Sequence, residues 1–239
     1  MKKSLVVVLA GLSLAFAGYA EAAKPKKRSR SANRIGAYGG AQIGQTTYSA
    51  NNAEAIAADL EDSLNDAGVA SQNHTSGVED TDIGYQAMFG YRFHRYVAAE
   101  LGLAQFGSMD VTAGADIDFD DGEGFVPTKL RVSQMVGGPI FSVVGILPLG
   151  DKFELFGRVG YLFASTRQEF SASIDGQNAG SGSVKGDSQD LAYGVGFSFH
   201  INQVYSIRGE YQQIDEVGQR SRTGEEDLKV FGLGVIVRF

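Results

Sequence analysis

Apolar and polar residues alternate along much of the chain, most clearly at its end. In 230–239, Phe231, Leu233, Val235, Val237 and Phe239 share one face, opposite Val230, Gly232, Gly234, Ile236 and Arg238. Successive side chains of an extended strand point to opposite faces, so this segment reads as a strand with one wholly apolar face. Seven other segments carry the pattern: 35–45, 83–93, 97–105, 129–147, 153–163, 191–201 and 205–213. In 83–93, Ile83, Tyr85, Ala87, Phe89, Tyr91 and Phe93 oppose Gly84, Gln86, Met88, Gly90 and Arg92. In 191–201 every odd position is apolar, with Gly194, Gly196, Ser198 and His200 opposite. The register of 129–147 is ambiguous, because Pro139 and the paired glycines suggest a bulge there.

The connections sort by length. Those at 94–96, 148–151 and 202–203 are tight turns, and those at 46–82, 107–128, 166–187 and 215–226 are long. A terminal strand this apolar would be an aggregating edge in a soluble sheet. Closure in lipid removes the edge and gives the apolar face its solvent. Segments of about 9–11 residues cross a bilayer when tilted. The expectation is therefore an all-β fold, an eight-stranded antiparallel up-and-down transmembrane barrel, with short turns and both termini in the periplasm and four loops outside. A soluble sandwich has no reason to segregate its loops in this way. The apolar face of the last strand, from Phe231 to Phe239, is also the expected signal by which barrel-assembly machinery takes up the chain.

The start of the chain supports export. A basic Met1-Lys2-Lys3 precedes an uncharged apolar run and an A-x-A site at Ala20-Glu21-Ala22, the three parts of a signal peptide over 1–22. Residues 23–34 follow as a basic arm with six positive charges. It reads as a solvated tail, or as a contact for anionic phospholipid heads or acidic cell-wall peptide. The barrel then occupies 35–239. There is no cysteine, which excludes thiol catalysis and cysteine metal sites. A net charge of −7 argues against a nucleic-acid partner. The 32 glycines against 4 prolines suit strands joined by tight turns.

Three stretches carry a family resemblance: GYQAMFGYRFHRYVAAELG at 84–102, PLGDKFELFGRVGY at 148–161, and YGVGF at 193–197 continuing through RGEYQ at 208–212. Each is a strand, a tight turn and the next strand. They resemble the transmembrane barrel of the OmpA family, over roughly 35–239. The resemblance implies the outer membrane of a Gram-negative bacterium. Some family members carry a cell-wall-binding domain after the barrel; this sequence stops at Phe239, so that function is not carried over. Tryptophan, common in the family's aromatic belts, is absent, and Tyr and Phe are expected in its place.

The lumen of eight strands is just wide enough for side chains to fill it. Alternation turns Arg92, Glu100, Glu154, Arg158, Asp190, Arg208, Glu210 and Arg238 inward. Buried charges of both signs call for pairing. Arg92, Glu100, Arg158, Arg208 and Glu210 are the expected salt-bridge network, and the resemblance implies that Glu100, Arg158 and Arg208 are central to it. The network is read as holding the barrel shut, with a narrow ion or solute channel, porin-like, as the alternative.

A lipid-modifying enzyme is the remoter alternative. His94 lies in a periplasmic turn, His200 at the periplasmic end of its strand and His74 in a plain polar loop, and no catalytic set is apparent. No cofactor is expected. The long loops are acidic: 46–82 and 107–128 hold fourteen acids and no Lys or Arg. Asn51 with Glu54 resembles a capping box for a short helix over 53–67. Asp116, Asp118, Asp120 and Asp121 are weak metal candidates, since the glycine and glutamate positions do not fit a calcium loop. The expected partners are outer-membrane lipid and a surface ligand or divalent cations at the acidic loops, with the protein as a monomer. The expected role is structural, with surface interaction through the four loops.

Overall fold

The computed structural model describes residues 34–49, 62, 70–118, 124–219 and 224–239. Nine strands form one antiparallel sheet: β1 (Gly36–Tyr48), β2 (Ser71–Glu79), β3 (Thr81–His94), β4 (Val97–Asp118), β5 (Phe125–Leu149), β6 (Phe153–Ile174), β7 (Gln177–His200), β8 (Tyr205–Gln219) and β9 (Gly224–Arg238). All but β2 close a ring of eight, in the order β4-β3-β1-β9-β8-β7-β6-β5, with β5 returning to β4. The terminal strand seals it, pairing with β1 from Tyr38↔Arg238 to Tyr48↔Leu228. Asp80 alone separates β2 from β3, and both pair with β4, so together they act as one interrupted barrel strand.

The barrel is apolar outside. Phe89, Leu101, Leu103, Val159, Val195 and Phe231, on five of the eight ring strands, are all more than half exposed. No helix among the described residues is long and apolar enough to cross a membrane. The strands supply the apolar surface instead, as a lipid-facing barrel requires.

Four strands are longer than their apolar alternation indicates. β4 to β7 have 22, 25, 22 and 24 residues, against 13 for β1 and 15 each for β8 and β9. The segments 107–128 and 166–187 are thus mostly strand rather than loop, and 46–82 contains β2. The β6–β7 connection is only Asp175-Gly176, both with positive φ (48° and 74°). That is the backbone of a tight two-residue hairpin, in which Asp-Gly is favoured. The expected helix over 53–67 lies outside the described residues. So do the signal peptide and the arm, except for Arg34.

The bulge lies in β4 and not around Pro139. β5 keeps one register with β6 across Pro139, from Gly137↔Ser165 to Ile140↔Leu162. The β4–β5 register shifts instead between Gln105 and Ser108, where Gly107 has φ +79°. One extra residue reverses which side chains face in. Below the bulge Ala98, Glu100, Ala104 and Phe106 are buried; above it Met109, Val111, Ala113, Ala115 and Ile117 are. Asp82 holds the bulge, accepting hydrogen bonds from the amide and hydroxyl of Ser108 at 2.8 and 3.0 Å. Above the ionic lumen, Tyr48, Phe106, Met109, Leu162, Ile214 and Leu228 pack into an apolar cluster on the side of the long hairpins.

Candidate functional site

Because inward side chains recur every second residue on all eight strands, the lumen is built in layers. The central layer comprises Tyr38 (β1), Glu100 (β4), Arg158 (β6), and Arg208 and Glu210 (β8). Glu100 accepts from the Tyr38 hydroxyl, Arg158 Nη2 and Arg208 Nη1, each at 2.6 Å. Glu210 accepts from Arg158 Nη1 at 2.9 Å and lies 3.4 Å from Arg208 Nε. Two guanidiniums thus meet two carboxylates, with side-chain exposures of 5% or less. Arg208 also lies 3.9 Å over the Phe156 ring, a cation–π contact. Gly90 and Gly196 make room for the two rings. A Cβ at Gly90 would lie 2.3 Å from the Tyr38 ring, and one at Gly196 2.3 Å from that of Phe156.

A second layer lies toward the tight turns, the end expected in the periplasm. Glu154 accepts from Arg92 Nη1 at 2.9 Å and from Arg34 Nη1 at 3.1 Å. Arg34 also donates to the Asp151 carbonyl at 2.5 Å. His200 Nε2 lies 3.2 Å from Glu154. Arg238 donates to Ser206 Oγ at 2.9 Å and to His200 Nδ1 at 3.3 Å. Between the layers is a cavity of about 30 Å³, lined by Tyr38, Arg92, Phe156, Ser198, Arg208 and Arg238 among others. Above the central layer come Gln42, Gln86, Gln134 and Gln212, all buried. Gln42 donates to Gln86 at 2.8 Å.

Arg92 therefore stands apart from the other four residues assigned to one network: it pairs with Glu154, in the layer below. Asp190 faces inward at the outer end and accepts from Ser188 Oγ at 2.7 Å. Sequence reasoning missed Tyr38, in a weakly alternating strand; Arg34, read as part of the arm; and His200, whose partners lie on other strands. Ser206, His200 and Glu154 form a serine–histidine–carboxylate chain, with Ser206 Oγ 2.7 Å from His200 Nδ1. Ser206 has no exposure, and Glu154 is taken up by arginines.

Among the acidic candidates, Asp116 accepts from Asn73 Nδ2 at 2.7 Å, joining β4 to β2. Asp118 ends β4, while Asp120 and Asp121 lie outside the described residues. No group of three metal-ligating side chains occurs among the described residues. Above the membrane, burial opposes ionisation of Asp110. The hydrogen bonds from Arg131, at 2.9 Å, and from Ser133 outweigh it and hold the carboxyl below its ordinary range. β7 and β8 part above Ala192↔Ile214, leaving a cleft of about 790 Å³ lined by Asp190, Asp215, Glu216, Glu225 and Asp227 among others.

Residues 31–239 match the family model of the OmpA-like transmembrane domain. No curated protein matches the chain. Among solved structures, it resembles the attachment invasion locus protein Ail of Yersinia pestis, crystallised with the heparin analogue sucrose octasulfate (16% identity, 86% of this chain and 100% of that one, TM-score 0.37). It also resembles OprG of Pseudomonas aeruginosa (14%, 89% and 100%, TM-score 0.42) and the outer membrane protease OmpT of Escherichia coli (9%, 88% and 100%, TM-score 0.41). An adhesion-locus protein and a protease thus stand side by side, and none of these likenesses assigns a role. The ring of eight strands, its apolar exterior and the match over all of 35–239 agree: the chain belongs to the OmpA-like transmembrane domain family and is a barrel of the Gram-negative outer membrane.

Proposed function

We propose that the protein is a closed, non-catalytic barrel that carries an interaction surface outside the cell. The observation behind this reading is the extension of β4 to β7. These strands exceed the short side of the ring by about 10 residues, roughly 30 Å along a strand. A structure that served only to fill the membrane would not need them. The central network of Glu100, Arg158, Arg208 and Glu210 is proposed to shut the lumen beneath this surface. The buried Ser206 counts against catalysis, because no substrate carbonyl reaches it without the lumen opening. The C-terminal strand is proposed as the element recognised by the assembly machinery.

The test compares the intact protein with a barrel whose β4–β5 and β6–β7 hairpins are cut back to the membrane rim. Both should insert and show no large stable conductance in planar bilayers, and only the intact form should bind partners at the cell surface. The glutamine layer favours a second reading, a narrow water-filled path. Steady porin-sized openings of the intact protein would select it.

A further inference from the structure

The two charged layers differ in balance. The central layer sets Arg158 and Arg208 against Glu100 and Glu210 and is neutral. The periplasmic layer sets Arg34, Arg92 and Arg238 against Glu154. His200 does not restore the balance: its Nδ1 faces the guanidinium of Arg238, a group with donors only, so Nδ1 is the acceptor and the ring is neutral. Sequence upstream does not restore it either, since residues 22–33 hold no acid. Asp151 is exposed, and it meets Arg34 through its backbone carbonyl rather than its carboxylate.

The cavity between the layers shows the same excess locally. Its lining includes three guanidiniums, of Arg92, Arg208 and Arg238, and two carboxylates, of Glu100 and Glu154. Both carboxylates already accept from arginines. Arg208 Nη2, on a side chain 5% exposed, has no hydrogen-bond partner. The Ser198 hydroxyl also borders the space. A void of about 30 Å³ holds one or two water-sized occupants. Water would meet the orphan donor but leave the charge excess, which falls on the half-buried Arg34 and Arg238.

We propose that this cavity binds one monovalent anion of halide size, chloride being the natural candidate, held by Arg208 and Arg238 with Ser198 alongside. One negative charge balances the lining and satisfies Arg208 Nη2. The anion lowers the excess of the periplasmic layer from two positive charges to one.

The experiment uses the full barrel folded in nonionic detergent. Its unfolding temperature is followed as sodium chloride or bromide replaces sodium gluconate at constant ionic strength. Crystals grown in bromide are measured at the bromine absorption edge. The midpoint should rise saturably with halide and not with gluconate, and an anomalous peak should lie between Arg208 and Arg238. Arg238→Gln should abolish the halide dependence. Ser198→Ala, which leaves every charge in place, should shift its half-saturation several-fold upward and serves if Arg238→Gln does not fold. Density for water alone, no halide dependence, or the same half-saturation in both variants as in the parent would overturn the assignment.

Discussion

Glu100 shows how much one side chain can decide inside this barrel. It accepts three hydrogen bonds from groups on three other strands, two of them from buried guanidiniums. Removing one partner of a buried pair leaves the other charge uncompensated, a loss on the order of 3–5 kcal/mol. Glu100→Ala should destabilise the barrel by that amount in urea unfolding from lipid vesicles. Replacing Glu100, Arg158, Arg208 and Glu210 together by apolar residues of similar volume should cost far less, because no charge is then stranded. Asp110, outside the membrane, gives a pH-dependent contact. Its carboxyl is held below the ordinary range by Arg131 and Ser133 against the effect of burial. A depressed carboxylate contributes stability above its unfolded value, about 3.9, and loses it as pH falls through the folded value. Acidification below about pH 4 should therefore speed amide exchange where β4 meets β5 near Asp110, and Asp110→Asn should exchange at one elevated level throughout, apart from the intrinsic pH effect.

At the scale of elements, the bulge separates two kinds of sheet. Below it, β4 turns Leu101 and Leu103 to lipid and Glu100 to the lumen. Above it, β4 turns Met109, Val111 and Ile117 inward, as a water-soluble sheet would. Gly107 supplies the left-handed backbone, and a Cβ there would meet Asp82 at 2.8 Å. Asp82→Ala removes the acceptor for Ser108. The expected outcome is faster hydrogen exchange in β2 and in 108–118, with β8 and β9 unchanged. Equal protection throughout would mean that Asp82 does not hold the bulge. The alternation of 83–105 was legible because lipid selects one apolar face. The continuation of β6 through Thr166 to Ile174 was not, because water stands on its outer side and Ser, Arg and Gln are tolerated there. Asp175-Gly176 did carry a hairpin signal, but reading the polar flanks as loop obscured it.

For the whole molecule, the tight turns and the extended hairpins lie at opposite ends of the ring. Protease added to intact cells should cut within 119–123 or near Asp175-Gly176 and spare the turns at Arg95-Tyr96 and 201–204. Cutting at those turns in unbroken cells would invert the orientation.

What the sequence determined by itself was the periodic part: which faces meet lipid, that the strands close, and which charges point inward. Period two is a local property, and a bilayer enforces it on every strand alike. Tertiary structure alone decided which inward charges meet. Arg92 lies two residues from Gly90 on β3, yet one layer below the central network, because strand tilt and register set its height. Arg34 enters the mouth from outside the strand pattern, and Ser206, His200 and Arg238 meet only when β7, β8 and β9 are laid side by side. Partner choice among buried charges depends on distances across the lumen, and no spacing along one strand encodes them.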